Sequence, residues 1–327
     1  MLSEDADVCW APVSSNVAAY RAGARALRHG AESVHLLDAT LAPAGALLRF
    51  RFGVPVSATV GSRAVTGNPA RAVLTVAAID RLDQAFTAEP FVTARLRRRA
   101  PRVPVAAVAP GAVPLPEPSP ARLRRVARLL DGMLPARLVV GLPWTDDRDH
   151  MRWYRDAVAP LLAGNPVCLL FGAPSRRDAR LIFGVRGLRE TYRVLTGKID
   201  ADTVAAVARC VDAFVLPGDA RPMHITQDLV LAMAASGAPL VAGGGVRSAE
   251  LEHERNAFVA TAADPMSLVS TLNQLLALPA AQRHELGRDF AAATLTDHTW
   301  QPAARLHGER FAALVGRPEI PAALRAA

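Results

Sequence analysis

Three consecutive glycines, Gly243-Gly244-Gly245, follow the apolar run Pro239–Ala242. With no side chain in the way, backbone N–H groups there can reach a phosphate. Glycines also simply end strands, and both readings stand at this point. A second polar loop, opened by Pro217-Gly218, carries Asp219, Arg221 and His224. His224, at a helix start, reads either as a donor to an anion or as an ordinary loop histidine. Cys9, Cys168 and Cys210 are isolated, with no Cys-x-x-Cys pair, which removes a thiolate metal site and points to reduced thiols in a cytoplasmic chain.

The elements that must carry these loops can be read from Ala213 to Thr261. Apolar runs at Ala213–Leu216, Pro239–Ala242 and Ala257–Val259 alternate with a helical segment, Ile225–Ser236, and an acidic one, Arg247–Glu254. The order is strand, helix, strand, helix, strand. Continuous apolar strands belong to parallel sheets covered on both faces, and ligands of such sheets sit at the strands' carboxyl ends. Both loops lie there.

Pro217, Ala232-Met233-Ala234, Gly237-Ala238-Pro239, Gly244-Gly245 and Glu250 together resemble the donor half of retaining, GT-B-fold glycosyltransferases of the group 1 (family 4) type. The resemblance implies two Rossmann-like parallel-sheet domains facing a cleft, and transfer of a sugar from a sugar nucleotide to a saccharide, lipid or natural-product acceptor without a required metal or other cofactor. It also implies donor contacts from Gly141, Gly197, Lys198, Ile199, Asp219 and Gly243–Gly245. Several family side chains are replaced. The arginine position is Leu142, the lysine position Asp147, and the ribose-binding glutamate Leu231, with Asp228 one turn earlier as a substitute. Gly61 stands where relatives have a histidine. The cations near the family's positions are Arg148, Arg221 and Lys198, and Arg148 reads either as a phosphate ligand or as a surface arginine at a helix start. The alternative function is a non-catalytic protein of this fold that binds a partner enzyme or glycan.

Length and composition bound the rest. The 327 residues suit two domains, each with its own core. No stretch of eighteen apolar residues predicts a membrane span. The net charge is +8, yet among 38 basic residues only Lys198 is lysine, which looks like genomic base composition and argues against a nucleic-acid partner. Basic runs at Arg95–Arg102 and Arg122–Arg128 read either as solvated helix faces or as patches for phosphate, and the first also as a contact for a membrane's inner face or a partner enzyme. The acidic N-terminus lacks the pattern of a secretory signal.

In chain order, Ser14-Ser15-Asn16 caps a predicted helix through Arg28, and a helix over Leu41–Phe52 stops at Gly53. Predicted strands are Ser33–Leu37, Val54–Val60, Ala85–Thr87 and Val103–Ala109, with helices over Ala70–Leu82 and Phe91–Arg99. His35 and Asp38 match a later strand of the family's first domain, so this domain reads as short by two or three strands. The proline-rich segment Pro110–Pro120 marks the boundary. The second half adds strands at Leu138–Gly141, Val167–Phe171 and near Val194, for about six parallel strands in all. Helices over Pro265–Leu276 and Ala280–Ala292 precede a final one from about Asp297 to Val315, and His298-Thr299-Trp300 matches the family's crossing back to the first domain. The predicted domains are 1–115, 116–296 and a crossing helix over 297–327.

Overall fold

A computed structural model describes residues 11–13, 15–61, 64–65, 69–131, 138–145, 148–162, 167–184, 191–216, 227–243, 251–261 and 264–316. The chain divides into two compact units, the first comprising Met1–Gly111 and Trp300–Ala327, the second Ala112–Thr299.

Unit 1 opens with α1 (Asn16–Arg28), whose cap Ser15 accepts from the Ala18 N–H. There follow β1 (Val34–Leu36), α2 (Ala42–Phe52), β2 (Val56–Thr59), α3 (Pro69–Ile79), β3 (Gln84–Thr87), α4 (Pro90–Arg99) and β4 (Val105–Ala107). Gly53 ends α2 at φ +66, a left-handed conformation that a side chain would strain. All four strands are parallel, in the order β1-β2-β3-β4. Consecutive right-handed crossovers that advance in one direction leave their helices on the same face. The core between that face and α2, α3 and α4 holds Leu48, Val56, Ala58, Val76, Ile79, Ala85 and Leu96.

The other face is covered from far along the chain. In α12 (Gln301–Leu314), Ala303, Leu306 and Phe311 pack on Phe86, Ala106 and Val108. Side chains alternate along a strand, so neighbouring Ala85 and Phe86 serve opposite layers. Gly111 lies so close to Trp300 that a Cβ there would overlap the indole.

Unit 2 holds α5 (Pro120–Leu129), β5 (Val139–Pro143), α6 (Arg148–Leu162), β6 (Val167–Ala173), α7 (Arg176–Phe183), β7 (Tyr192–Thr196), α8 (Ala201–Ala208) and β8 (Ala213–Leu216). It continues with α9 (Gln227–Ala234), β9 (Leu240–Ala242), β10 (Phe258–Val259), α10 (Pro265–Ala277) and α11 (Ala280–Asp297). Its six strands are parallel in the order β10-β9-β8-β5-β6-β7. The chain winds outward from β5 to β7, then returns to β8 on β5's other side, so crossovers cover both faces. The strands are accordingly apolar without alternation, and Val140, Leu142, Leu170, Phe171, Phe214 and Val241 are fully buried. Cys168 sits among them, and burial pushes its thiol up to about 12. At the amino edge, Asp212 accepts from the Val139 N–H at 2.8 Å and from the buried guanidinium of Arg283 on α11.

Beyond small shifts at element ends, two segments depart from the predicted elements. The acidic segment predicted as a helix over Arg247–Glu254 is not helical in its described part, 251–254. There the Asn256 side chain accepts from the Glu252 N–H at 2.8 Å, and Glu254 adopts φ +59, which closes a turn instead. Helix α11 runs on past Ala292 to Asp297, and the final helix starts only at Gln301. Thr294 and Thr296 donate to the carbonyls of Phe290 and Ala292, each at 2.8 Å, and so stay within helical geometry.

Candidate functional site

The strand order of unit 2 reverses between β5 and β8. At such a switch point the flanking crossovers leave to opposite faces and open a crevice beyond the carboxyl ends. The backbone there is Pro143-Trp144-Thr145 after β5, Gly172-Ala173 at the end of β6, Gly197–Ile199 after β7, and Gly243 after β9. Residues 217–226, which follow β8, and 244–250, which follow Gly243, lie outside the described residues, and so do Asp219, Arg221, His224, Gly244 and Gly245.

The turn Gly197-Lys198-Ile199 is held on three sides. Gly197, at φ +119, donates its N–H to Ala173 at 3.1 Å. The Lys198 carbonyl accepts from the Thr203 hydroxyl at 3.2 Å, while the exposed Lys198 side chain extends into solvent. Asp200 caps α8 by accepting from the Thr203 N–H and hydroxyl, and these bonds hold its carboxyl below the usual range. On the other flank, Arg125 of α5 donates to the carbonyl and hydroxyl of Thr196, both at 3.0 Å.

Gly172 explains the position of Ile199. It sits at φ +88 where the β6/β7 register shifts between Phe171 and Ala173, and a Cβ on it would overlap Ile199. The strand bulges and the turn packs into the space. Nothing in the sequence reading marked Gly172, although an isolated glycine late in an apolar run is the usual sign of a bulge.

Other predicted positions have plainer surroundings. Gly141 lies inside β5, and the space beside it is filled by Phe214 and Val211, which gives it a packing role. Gly243 is buried, and its N–H is already bonded to Leu216 at 2.8 Å. Arg148 begins α6, so its backbone stands at the positive end of that helix beside the end of β5. The Thr145 N–H nearby is turned inward onto the Met151 sulfur at 3.3 Å. Leu142 and Leu231 are both buried, Leu231 against Ala112 and Ala235. Asp228 lies exposed in the first turn of α9, and desolvation by the protein beside it pushes its carboxyl upward. Among the described residues no three His, Cys, Asp or Glu side chains converge as metal ligands would.

In unit 1, His35 is part of the packing. Its Nδ1 lies 2.9 Å from Ser57 Oγ and its Nε2 3.0 Å from Thr59 Oγ1. Phe86, His307 and Phe311 surround the ring at 5.8, 6.3 and 5.3 Å. Burial, helped by His307, lowers His35 to about 4, and burial lowers His307 as well.

Residues 136–278 match the family model described as Glycosyl transferases group 1. The match runs from β5 through α10, the part of unit 2 that builds the switch point. Comparison with curated proteins returned no sequence match. Among solved structures, the chain is similar to sucrose-phosphate synthase from Thermosynechococcus elongatus, with 19% identity over 92% of this chain and 78% of that one, at a TM-score of 0.67. It is also similar to HepE from Anabaena in complex with UDP and glucose, with 14% identity over 90% and 82% of the two chains and a TM-score of 0.68. A UDP-forming α,α-trehalose-phosphate synthase from Burkholderia vietnamiensis gives 16% identity over 94% and 76%, at 0.56. At these identities the likeness is one of fold. The two parallel-sheet domains are those of GT-B glycosyltransferase structures.

Proposed function

We propose that the chain is a sugar-nucleotide-dependent glycosyltransferase of hexosyltransferase type, transferring with retention of configuration to a saccharide, lipid or natural-product acceptor. The match to the group 1 family over the donor-side sheet carries this reading. The neighbours that contain UDP, UDP-glucose or UDP with glucose support a uridine diphosphate sugar as the first donor to try. In this reading the turn Gly197-Lys198-Ile199 borders the base, Gly141 and Asp219 lie along the donor, and the turn Gly243–Gly245 meets the diphosphate through the backbone of Gly244 and Gly245, since the Gly243 N–H is bonded to Leu216. The bond from the sugar's anomeric carbon to the diphosphate breaks, the acceptor oxygen takes its place, and the acceptor proton leaves to the diphosphate or solvent. Negative charge then grows on the leaving group, and Arg148, Lys198 and Arg221 are the cations assigned to it, with His224 as a further donor. No metal or other cofactor enters this scheme, and the place of action is the cytoplasm.

Calorimetry with UDP and UDP-glucose, followed by a donor-hydrolysis and transfer assay, tests the reading. Loss of a preorganised cation costs about 10²–10³ in rate. At least one of Arg148→Ala, Lys198→Ala and Arg221→Ala should therefore lower kcat by that much, with a smaller change in donor affinity. Unchanged transfer in all three, or no turnover at all, would sink it. One observation favours a second reading, a non-catalytic protein that binds a partner enzyme or glycan. Leucines 142 and 231, at the positions matched to the family's arginine and glutamate, are buried and apolar. Donor binding without turnover would support that reading.

A further inference from the structure

In a parallel sheet every strand starts at one edge, and every crossover helix ends there. Helices α2, α3 and α4 therefore bring their last turns, and the loops that follow, to the amino edge of unit 1's sheet. Those segments carry Arg49, Arg51, Arg81, Arg97–Arg99 and Arg102. Cations suit helix C-termini, which accounts for one or two of them. Two more are neutralised, Arg49 by Asp83 at 2.8 Å and Arg102 by Asp80. Arg51, Arg81 and Arg97–Arg99 are exposed or half-exposed, and among the described residues no carboxylate pairs with them.

Apolar surface stands among these charges. Phe50 on α2 is 90% exposed and Leu47, one turn earlier, 58%. Both line an open cavity of about 1090 Å³ whose walls include Arg49, Ala77, Arg81, Leu82 and Arg102. On α3, Leu74 is 67% exposed, one turn before Ala77. The basic run on α5 is different. There Arg122 is tied to Asp200 and Asp202 and Arg125 to Thr196, so that run belongs to the packing of unit 2.

We propose that this amino-edge end of unit 1 docks on an anionic lipid bilayer, with Phe50 and Leu47 entering the headgroup layer and Arg51, Arg81 and Arg97–Arg99 meeting lipid phosphates. A protruding aromatic and leucine beside Arg81, at the same sheet edge as the unpaired Arg51 and Arg97–Arg99, is the composition that partitions to an anionic interface. A phenylalanine exposed to this degree projects outward instead of forming the wall of a closed pocket, which suits a deformable surface. The docking end is the edge opposite the strands' carboxyl ends, and it stands whether or not the chain transfers sugar.

The test is flotation of the full chain with vesicles of phosphatidylcholine containing one third phosphatidylglycerol, and with vesicles of phosphatidylcholine alone, at low and high salt. Binding is expected only to the anionic vesicles and should fall with salt. Arg81→Glu, Arg98→Glu and Phe50→Asp should each weaken it by about tenfold. All three positions are on the surface, so circular dichroism and nucleotide calorimetry should match the native protein. Equal binding to both vesicle types, no binding to either, or variants that bind like the native chain would overturn the proposal. Absence of vesicle binding, with retention on an acidic polypeptide column, would reassign the surface to an acidic protein.

Discussion

The two sheets are both parallel and both buried, yet they are filled differently. In unit 2 the inner strands carry only apolar side chains, and the polar residues are pushed to the ends and loops. In unit 1 the strands themselves hold Ser57, Gln84 and Thr87, each nearly inaccessible, beside His35. These groups are satisfied locally. His35 bridges Ser57 and Thr59, and Gln84 Nε2 donates to the Ala85 and Pro104 carbonyls at 3.0 and 2.9 Å. An apolar face accepts any helix of suitable stripe, whereas a face with a histidine and two hydroxyls accepts the helix whose side chains match it. Helix α12 meets it with His307 and Phe311. The six-stranded sheet is therefore held by packing, and the smaller sheet by packing whose register is fixed by hydrogen bonds.

That contrast can be broken at its apolar end first. Phe171 is fully buried in β6, and Phe171→Ala should cost about 3–5 kcal/mol in a urea titration, with little dependence on pH. A smaller loss at neutral pH would mean that the larger sheet relaxes around cavities. The polar sheet should instead respond to acid. His35 titrates near 6.5 when unfolded and at about 4 in the fold. Above 6.5 both states hold it neutral and its full contribution is present. As pH falls from 6.5 toward 4 only the unfolded chain takes up the proton, so stability drops by roughly 3 kcal/mol. His35→Gln should flatten that part of the pH profile, and a profile unchanged by the substitution would remove His35 as its source.

Next in size is Gly172→Ala. The positive φ and the overlap with Ile199 should together cost about 1–3 kcal/mol and displace the Gly197–Ile199 turn, read as a shift in thermal midpoint and in amide signals of that turn. Ser57→Ala, which takes one partner from His35, should cost about 1 kcal/mol at neutral pH. A loss several times larger would show that the hydroxyls act as one network with α12.

Much of this architecture is legible in the chain. Ala213–Leu216 is a strand over the same residues the apolar run marks, Gly53 stops its helix as read, and Ser15 caps the helix it precedes. These features are local, fixed by propensity, caps and glycine conformation. The order of the strands was not read, because order depends on which edge each crossover returns to. The site was less legible still. Gly141 is matched to a donor contact by its place in a motif, while its packing against Phe214, seventy-three positions later, is invisible along the chain. Gly172 escaped notice because its reason, Ile199, lies on another strand's turn. His35 marks a strand of the first domain in the sequence, but its partners Ser57 and Thr59 come from a pairing of neighbouring strands.

The threading of unit 1 sets a schedule on the ribosome. Its sheet and first-face helices are complete by Gly111, but the helix that covers Phe86, Ala106 and Val108 emerges only after all of unit 2 has been synthesised. During that interval the second face of the nascent sheet, with Phe86, Ala106 and Val108, has no covering helix. Unit 2, contiguous from Ala112 to Thr299, has no such wait and is free to fold first.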